Sequence, residues 1–459
     1  MRKRLVAAPE EGRVDDLNHD GEGVVRGGKT AFVNGALPGE RVRFVRRRAH
    51  KQYDEAELEE VLEASAERVA PRCPHFGTCG GCALQHLDGA AQLVHKERQL
   101  REGLERLGKV APQEWLAPLA GPAWHYRRRA RLGARYVFAR GRSLVGFRER
   151  LSSHVAAIDS CAVLAEPVAS LIQPLGELIT ALSIRERLPQ VEVAIGEAAT
   201  VLVFRVLDEP GADDLARFAA FEAAHGVRVY LQPKGLDTIR PMHEPPALLD
   251  YSLPDFDLRL QFLPNDFVQV NGPLNAALVG RVIELLQLDA GSRALDLYCG
   301  LGNFTLALAR RAGSVVGVEG EAGLVERARA NARLNGIGNA AFHVGNLMAP
   351  EAQSAPWTAG PYSHVLLDPP RAGALEMLPV VARLRPRRLV YVSCHPGSLA
   401  RDLGLLVHEH GFELLAAGVA DMFPHTAHVE SIAVLAPQGT TRGKAHGKGH
   451  GDGRRDKGI

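Results

Sequence analysis

From about residue 291 onward, short apolar runs alternate with amphipathic segments of helical length. The apolar runs cover residues 293–298, 315–318, 365–367 and 389–393, and each has the length of a buried strand. Buried strands that alternate with amphipathic helices are typical of an α/β domain built on a doubly wound parallel sheet. The pattern therefore predicts a Rossmann-like domain, which we place at residues 266–436.

Earlier parts of the chain show a different pattern. Residues 10–64 contain short alternating runs separated by turn signals, which predicts a small β-barrel of the oligonucleotide-binding type. Residues 65–265 mix helical and strand patterns, which predicts an α+β region. The helical patterns cover residues 90–107, 166–182 and 212–225, and the strand patterns cover 190–207 and 228–231. Residues 437–459 are rich in Gly, Lys, His and Arg, so we expect a disordered basic tail.

Charge adds an expectation about the partner. The 459 residues are enough for about three domains, and 55 Lys and Arg residues nearly balance 53 Asp and Glu residues, leaving a net charge of +2. The basic residues are unevenly placed, because residues 26–51 carry eight of them against Glu40 alone and residues 124–150 carry nine arginines against Glu149 alone. Two such stretches in an otherwise acidic chain predict surfaces that bind nucleic acid.

The compartment follows from the N-terminus and the apolar runs. The N-terminus begins with basic residues, but the apolar segment that a signal peptide needs does not follow them. No apolar run has the length that would cross a membrane. We therefore expect a cytoplasmic protein without disulfides.

Half of the six cysteines crowd into one C-x5-C-x2-C run with glycines between them, which allow the backbone to turn tightly around a ligand. The run is formed by Cys73, Cys79 and Cys82. A tetrahedral metal centre needs a fourth ligand, for which Cys161 is the best candidate and His75 and His86 are alternatives. Four thiolates fit either zinc or an iron–sulfur cluster, and the spacing alone does not separate the two.

A glycine-rich turn follows the first strand of the Rossmann-like domain. Residues 299–303, Cys-Gly-Leu-Gly-Asn, allow a ligand to approach the backbone and a helix N-terminus. Glu319, about twenty residues on at the end of the next strand, is placed to bind a ribose diol. A nicotinamide dinucleotide is one alternative, but Thr305 stands where its third glycine would be, and Asp296 before the turn favours S-adenosylmethionine.

Three reactive side chains stand near the ends of other strands. Asp368 precedes Pro-Pro-Arg, Cys394 ends the strand at 389–393, and Glu430 stands among histidines at the start of the last strand. Each alone could be structural, since a lone Asp serves turns and a lone Cys serves cores. Together they match one chemistry: a thiolate adds to C6 of uracil, C5 then attacks a methyl sulfonium, and a carboxylate removes the C5 proton.

These motifs, in this order, resemble the RNA uridine-5 methyltransferases over about residues 10–436, where the N-terminal segment is similar to a TRAM domain. The matching motifs lie at residues 296–304, 368–371, 393–402 and 423–430. The resemblance implies a [4Fe–4S] cluster held by Cys73, Cys79, Cys82 and Cys161. It implies an S-adenosylmethionine site formed by Gln269, Tyr298, Asn303, Glu319, Asn346 and Asp368. It also implies Cys394 as the nucleophile and Glu430 as the base that takes the C5 proton.

The resemblance also bears on the substrate. The four cysteines favour 23S rRNA, because tRNA-directed relatives lack them, and we expect a monomer that binds an unstacked uridine. The barrel and residues 127–135 would hold the RNA around it. Two residues depart from the family pattern: Tyr298 stands where Phe is common and His395 where Asn is common. The alternatives are the same reaction on tRNA and an RNA-binding iron–sulfur protein without methyl transfer.

Overall fold

The computed structural model describes residues 3–4 and 8–439, so the predicted disordered tail lies outside the described residues from 440 onward. Within the described part, the chain begins with a seven-stranded sheet in the order β1–β6–β7–β5–β4–β3, with β2 paired to β6. The strands are β1 (Lys3–Arg4), β2 (Glu10–Arg13), β3 (Asp16–Leu17), β4 (Gly23–Val25), β5 (Thr30–Asn34), β6 (Arg41–Ala49) and β7 (Tyr53–Glu63). Val33, Val42 and Phe44 belong to its apolar core. The sheet fits the predicted oligonucleotide-binding type of domain.

The basic run on β6 is neutralised inside this sheet. The antiparallel neighbours β2 and β7 place carboxylates beside its arginines. The ion pairs are Arg41 with Glu11 and Glu63, Arg43 with Glu11 and Glu60, Arg46 with Glu10 and Asp54, Arg47 with Glu57, and Arg48 with Glu55. The charge of residues 26–51 alone therefore overstates the net positive charge of this sheet, because the pairing carboxylates lie on β2 and β7, and RNA binding by the sheet stays a prediction.

The middle region contains a six-stranded sheet in the order β10–β9–β11–β12–β13–β14. The elements of this part are α1 (Gly89–Gly103), β8 (Glu114–Trp115), β9 (Arg129–Val137), β10 (Arg142–Gly146), α2 (Ile172–Ala181), β11 (Gln190–Ile195), β12 (Thr200–Arg205), α3 (Ala212–His225), β13 (Arg228–Gln232) and β14 (Arg240–Pro241). The predicted helix at 212–225 is confirmed. The helix predicted at 166–182 starts later, at Ile172, because Val168–Ser170 form a separate 3₁₀ turn.

The C-terminal region is the predicted α/β domain. Its elements, after the hairpin of β15 (Leu249–Leu253) and β16 (Leu258–Phe262), are α4 (Gly272–Leu286), β17 (Arg293–Leu297), α5 (Thr305–Ala309), β18 (Ser314–Glu319), α6 (Ala322–Leu334), β19 (Ala340–Val344), β20 (His364–Leu367), α7 (Leu378–Leu384), β21 (Arg388–Ser393), α8 (Pro396–His408), β22 (Phe412–Ala420) and β23 (Glu430–Pro437). The sheet order is β19–β18–β17–β20–β21–β23–β22–β8. Strands β17 to β21 are parallel, and β23 is antiparallel to β21. Strands β18 and β19 are added on one side of β17, and β20 and β21 on the other. A crevice forms at the carboxyl ends of the strands where the strand order reverses in this way.

Two elements from before the middle sheet belong to this domain by contact. The short strand β8 pairs parallel to β22 and forms the last strand of the sheet. Helix α1 packs against α8 and β22. Across the described residues, no helix combines the length and the apolar character needed to cross a membrane.

Candidate active site

The glycine-rich turn after β17 lies against the end of β18. Tyr298 and Gly302 have left-handed backbone angles, with φ of 68° and 97°, and the second position is one that glycine adopts without steric cost. The amides of Tyr298 and Cys299 both donate to the Val318 carbonyl, at 2.9 and 3.1 Å. The turn therefore presents its backbone at the crevice where the strand order reverses.

Three predicted cofactor residues follow the neighbouring strands. Glu319 ends β18 and accepts from the Gly300 amide at 3.2 Å. Asn346 lies two residues after β19, is exposed, and accepts from the Met348 amide at 3.1 Å. Asp368 directly follows β20. Because these strands are parallel, the three side chains lie at the same edge of the sheet as the glycine-rich turn.

Asn303 is held by two residues that the sequence did not reveal. Its Oδ1 accepts from the Tyr251 hydroxyl at 2.9 Å and from Asn275 Nδ2 at 2.9 Å, and its own Nδ2 donates to Asn275 Oδ1 at 3.0 Å. Tyr251 belongs to β15 and Asn275 to α4. Since these residues are distant in sequence, no local motif could have marked them.

Gln269 is half-buried in the loop between β16 and α4. Two residues later, Asn271 caps α4, because its Oδ1 accepts from the Leu274 amide at 3.3 Å. Among the described residues, the buried Nδ2 of Asn271 and the buried hydroxyl of Tyr298 have no hydrogen-bond partner. Buried polar atoms without partners are costly, so these are two groups that a polar ligand could satisfy.

Burial raises the pKa of three carboxyl groups at this edge. Asp296 is fully buried, and burial, with smaller contributions from Asp368 and Glu319, raises its pKa to about 8. Burial also raises the pKa of Asp368 to about 7. The pKa of Glu430 is raised well above its ordinary value by burial and then by the charge of Asp368. A bound cation would lower all three values, so the edge favours a positively charged ligand.

Cys394 and Glu430 lie beside each other at the ends of two paired strands. Ser393 and Ser431 are partners across β21 and β23, so the next residue beyond each along this pairing is Cys394 on one side and Glu430 on the other. The Glu430 side chain is buried, whereas Cys394 is half-buried. The pKa of the Cys394 thiol is raised by burial and then by the charges of Glu430 and Asp368, and Arg371 opposes this effect.

His395, next to the nucleophile candidate, has a structural role. Its Nδ1 accepts from the Ser398 amide at 3.1 Å and so caps the N-terminus of α8. An Nδ1 that accepts belongs to a neutral ring, and burial together with Arg371 lowers the pKa of His395. The imidazole of His395 therefore caps helix α8 in the way that an asparagine side chain would.

A cleft of about 1060 Å³ opens beside Cys394. Its walls come from all three regions: residues 17–20 of the first sheet, residues 80–83 after the cysteine run, the end of α1, and residues 426–429 before β23. Arg106, Arg127 and Arg371 line the cleft together with Asp20 and Glu102, and Arg106 forms an ion pair with Glu102 at 3.3 Å. The same cleft thus joins the predicted nucleophile to a wall that carries both arginines and carboxylates.

The four predicted metal-ligating cysteines line one small cavity. All are free thiols, and Cys73, Cys79, Cys82 and Cys161 border the cavity together with Phe147. Burial is the first cause that raises the pKa of Cys79 to about 11 and of Cys82 to about 12, and the neighbouring thiols add to it. Within the described residues, no group of three or more His, Cys, Asp or Glu side chains is arranged to hold a single metal ion.

The alternative fourth ligands are engaged elsewhere or lie outside this cavity. His75 also borders it, but its Nε2 lies 2.6 Å from Asp159 Oδ1. His86 is buried beside Phe76, with ring centroids 5.2 Å apart, and is not part of the cavity lining. The packing favours glycine here, because a Cβ at Gly80 would lie 3.0 Å from the Arg148 carbonyl oxygen, closer than an ordinary contact.

The parallel sheet, the glycine-rich turn and the acidic edge define an α/β enzyme that binds a nucleoside-containing cofactor. The model of the tRNA (uracil-5-)-methyltransferase family matches residues 89–356 and 357–438. The chain belongs to this family, and it is a methyltransferase. The resemblance to RNA uridine-5 methyltransferases that the sequence motifs indicated is thus confirmed.

Individual relatives agree with the family. The chain is 51% identical to a 23S rRNA (uracil(1939)-C(5))-methyltransferase RlmD of Methylococcus capsulatus, over 94% of this chain and 98% of the relative. It is also 51% identical to the protein of the same name from Alkalilimnicola ehrlichii, with the same coverage. Among solved structures, it is similar to the Pyrococcus abyssi tRNA (uracil-54, C5)-methyltransferase in complex with S-adenosyl-L-homocysteine, with a TM-score of 0.73 and 25% identity over 93% of this chain and 100% of that chain.

Proposed function

We propose that the chain transfers a methyl group from S-adenosylmethionine to C5 of a specific uridine in 23S rRNA. The observation that carries the proposal is the pair of Cys394, which borders the cleft, and the buried Glu430, which lies beside it at the ends of the paired strands β21 and β23. The printed names of the relatives, which cover nearly the whole chain, support 23S rRNA over tRNA as the substrate.

The six predicted cofactor residues have distinct tasks. When bound, S-adenosylmethionine supplies an electrophilic methyl group and a sulfonium charge that the carboxyls at this edge attract. Glu319 is placed for a ribose diol, and Asn303, held by Tyr251 and Asn275, presents a fixed amide. The unpartnered hydroxyl of Tyr298 is available to the ligand. Gln269, Asn346 and Asp368 complete the set around the crevice.

Cys394 and Glu430 divide the reaction between addition and elimination. The Cys394 thiolate forms a bond to C6 of uracil, and the electron pair of the C5–C6 double bond moves to give an enolate that is nucleophilic at C5. C5 then takes the methyl group, and the carbon–sulfur bond of the donor breaks. Glu430 removes the C5 proton, the C5–C6 double bond forms again, and the thiolate leaves.

The four cysteines fit an iron–sulfur cluster better than a single metal ion. Cys73, Cys79, Cys82 and Cys161 border one enclosed cavity, and a cluster separates its four thiolates more widely than one zinc ion does. We therefore propose that they hold a [4Fe–4S] cluster, which organises the loop beside the RNA cleft. Binding iron would deprotonate these thiols and offset the raised pKa values.

RNA would lie across all three regions. We assign RNA recognition to residues 10–64 and 65–265, and methyl transfer to residues 266–436 together with α1 and β8, which pack on the catalytic sheet. Because the β6 arginines are paired, we assign the phosphate contacts to Arg127 and Arg371 in the cleft and to the tip of the β9–β10 hairpin. Arg135, Arg140, Arg142 and Phe138 are all exposed there, and an exposed aromatic ring close in sequence to arginines suits base stacking. The protein would act as a cytoplasmic monomer.

The test is covalent trapping with defined RNAs. Purified protein is incubated with radiolabelled S-adenosylmethionine and either unmodified 23S rRNA or tRNA. We expect labelling of 23S rRNA only, no turnover for Cys394→Ala, and a protein–RNA adduct stable on a denaturing gel for Glu430→Gln. Asp213→Asn, at an exposed residue of α3 far from these elements in the chain, is the control and should behave like wild type. Labelling of tRNA alone would refute the substrate, and turnover by Cys394→Ala would refute the mechanism.

A further inference from the structure

The loop that leads into Glu430 is held by a fully buried lysine. Residues 421–429 connect β22 to β23, and Lys96 of α1 reaches this loop from more than three hundred positions earlier in the chain. Its Nζ donates to Asp421 Oδ1 at 2.5 Å and to the Phe423 carbonyl at 3.0 Å. Lys96 is fully buried, and a buried ammonium group is costly unless it is paired. The lysine is therefore stable in this position only while the loop keeps the conformation that presents Asp421 and the Phe423 carbonyl to it.

Other early segments bind the same loop at its centre. His425 has a left-handed backbone, with φ of 65°, and its carbonyl accepts from the Ala83 and Leu84 amides at 2.8 and 2.9 Å. Its own amide donates to Gln92 Oε1 at 2.9 Å. The Tyr126 hydroxyl donates to the Pro424 carbonyl at 3.0 Å.

The loop is therefore part of the active site wall and not a solvated turn. Its last residues, 426–429, border the cleft together with Cys394, and Glu430 begins β23 directly after them. Nη2 of Arg371, which also borders the cleft, lies 2.8 Å from Nδ1 of His428. A shift of the loop would therefore displace this wall of the cleft relative to the Glu430 carboxylate.

We propose that Lys96 is a positioning residue for the proton-removal step: its contacts to the 421–429 loop keep the C5 proton of the bound uridine within reach of Glu430. This inference rests on the proposed function. It predicts a selective defect, because a small misplacement of a base slows proton transfer strongly while leaving the earlier bond-forming step largely intact.

The experiment separates the two steps in a single turnover. RNA with tritium at C5 of the target uridine is mixed with excess enzyme and S-adenosylmethionine labelled in its methyl group. In wild-type protein, methyl incorporation and tritium release should proceed together. In Lys96→Met, we expect methyl incorporation at close to the normal rate, tritium release slowed by roughly 100-fold, and a methylated protein–RNA adduct on a denaturing gel.

Three further variants make the result decisive. The double variant Lys96→Met/Asp421→Asn removes both charges and so avoids leaving an unpaired carboxylate. Tyr126→Phe deletes one hydroxyl without changing the packing. Both variants should show the same selective delay in tritium release. Lys234→Met, at an exposed lysine of the middle region, is the matched control and should behave like wild type.

The possible failures are distinguishable. If Lys96→Met and Tyr126→Phe reduce methyl incorporation and tritium release by the same factor, the positioning role is wrong, and the contact serves folding or RNA binding. Glu430→Gln runs in parallel. If that variant also accumulates no adduct, the assignment of the base fails, and the positioning role fails with it.

Discussion

The buried carboxyl of Asp296 should make the C-terminal domain less stable as the pH rises. Asp296 is fully buried in β17, and its Oδ2 accepts from the Thr305 hydroxyl at 2.5 Å, while its buried Oδ1 has no partner within the described residues. The folded pKa of about 8 compares with about 3.9 in an unfolded chain. A carboxyl whose pKa is raised on folding stabilises the fold fully below pH 3.9 and loses that contribution progressively up to pH 8.

The size of the effect follows from this pKa. Each pH unit between the two values costs about 1.36 kcal/mol, so the wild type should lose about 2.7 kcal/mol between pH 5 and pH 7 through Asp296. Asp296→Asn keeps the acceptor for Thr305 and removes the titration. We therefore expect the difference in free energy of unfolding between the variant and wild type to be about 2.7 kcal/mol more favourable to the variant at pH 7 than at pH 5.

Urea unfolding at pH 5 and pH 7, without added cofactor, measures this difference. Asp213→Asn is the matched control, because Asp213 is exposed on α3, and its difference from wild type should be the same at both pH values. A difference between Asp296→Asn and wild type that does not change with pH would refute the reasoning. Excess S-adenosylmethionine should reduce the effect, since its positive charge lowers the pKa of Asp296.

Further outcomes concern the nucleophile, the RNA and the cofactor. Because the raised pKa of Cys394 is opposed by Arg371, kcat/KM should rise with pH in the alkaline range, and Arg371→Met should move that rise to higher pH; an unmoved profile would contradict the contact. Arg127→Ala should reduce the slope of log RNA affinity against log salt by about 1, whereas Arg47→Ala, in a paired site, should leave it unchanged; equal slopes would contradict the charge assignment. Tyr251→Phe should weaken S-adenosylmethionine binding by roughly 10-fold in calorimetry, and an unchanged Kd would show that this hydroxyl does not orient the cofactor site.

Much of the site was predictable because its residues follow buried strands. The runs that became β17, β18, β20 and β21 are continuous and apolar, so the sheet and its carboxyl edge could be inferred together with Glu319, Asp368 and Cys394. Glu430 has no such local signal, because alone it resembles a surface residue, and it was singled out as the carboxylate that the uracil chemistry requires together with Cys394. The roles of these residues in binding and catalysis remain predictions.

The remaining features depend on contacts between distant segments. The charge of the β6 arginines could not be read from their own run, because the carboxylates that neutralise them lie on β2 and β7. Tyr251, Gln92 and Lys96 carry no motif, and each acts through a partner far away in the chain. The capping role of His395 could not be predicted either, because its hydrogen bond to the Ser398 amide depends on the backbone geometry at the start of α8.

The position of β8 limits how the protein can be divided. Glu114–Trp115 pair with β22 on the open side of the catalytic sheet, although they precede the entire middle sheet in the chain. A fragment that starts at residue 266 would leave the β22 edge uncovered, and exposed edges invite pairing with other molecules. A working catalytic fragment must therefore keep residues 89–115. The catalytic domain can complete its folding only after the segments before and after the middle sheet have both been synthesised. Helix α1 and strand β8 must therefore stay available in the nascent chain until β22 has been synthesised.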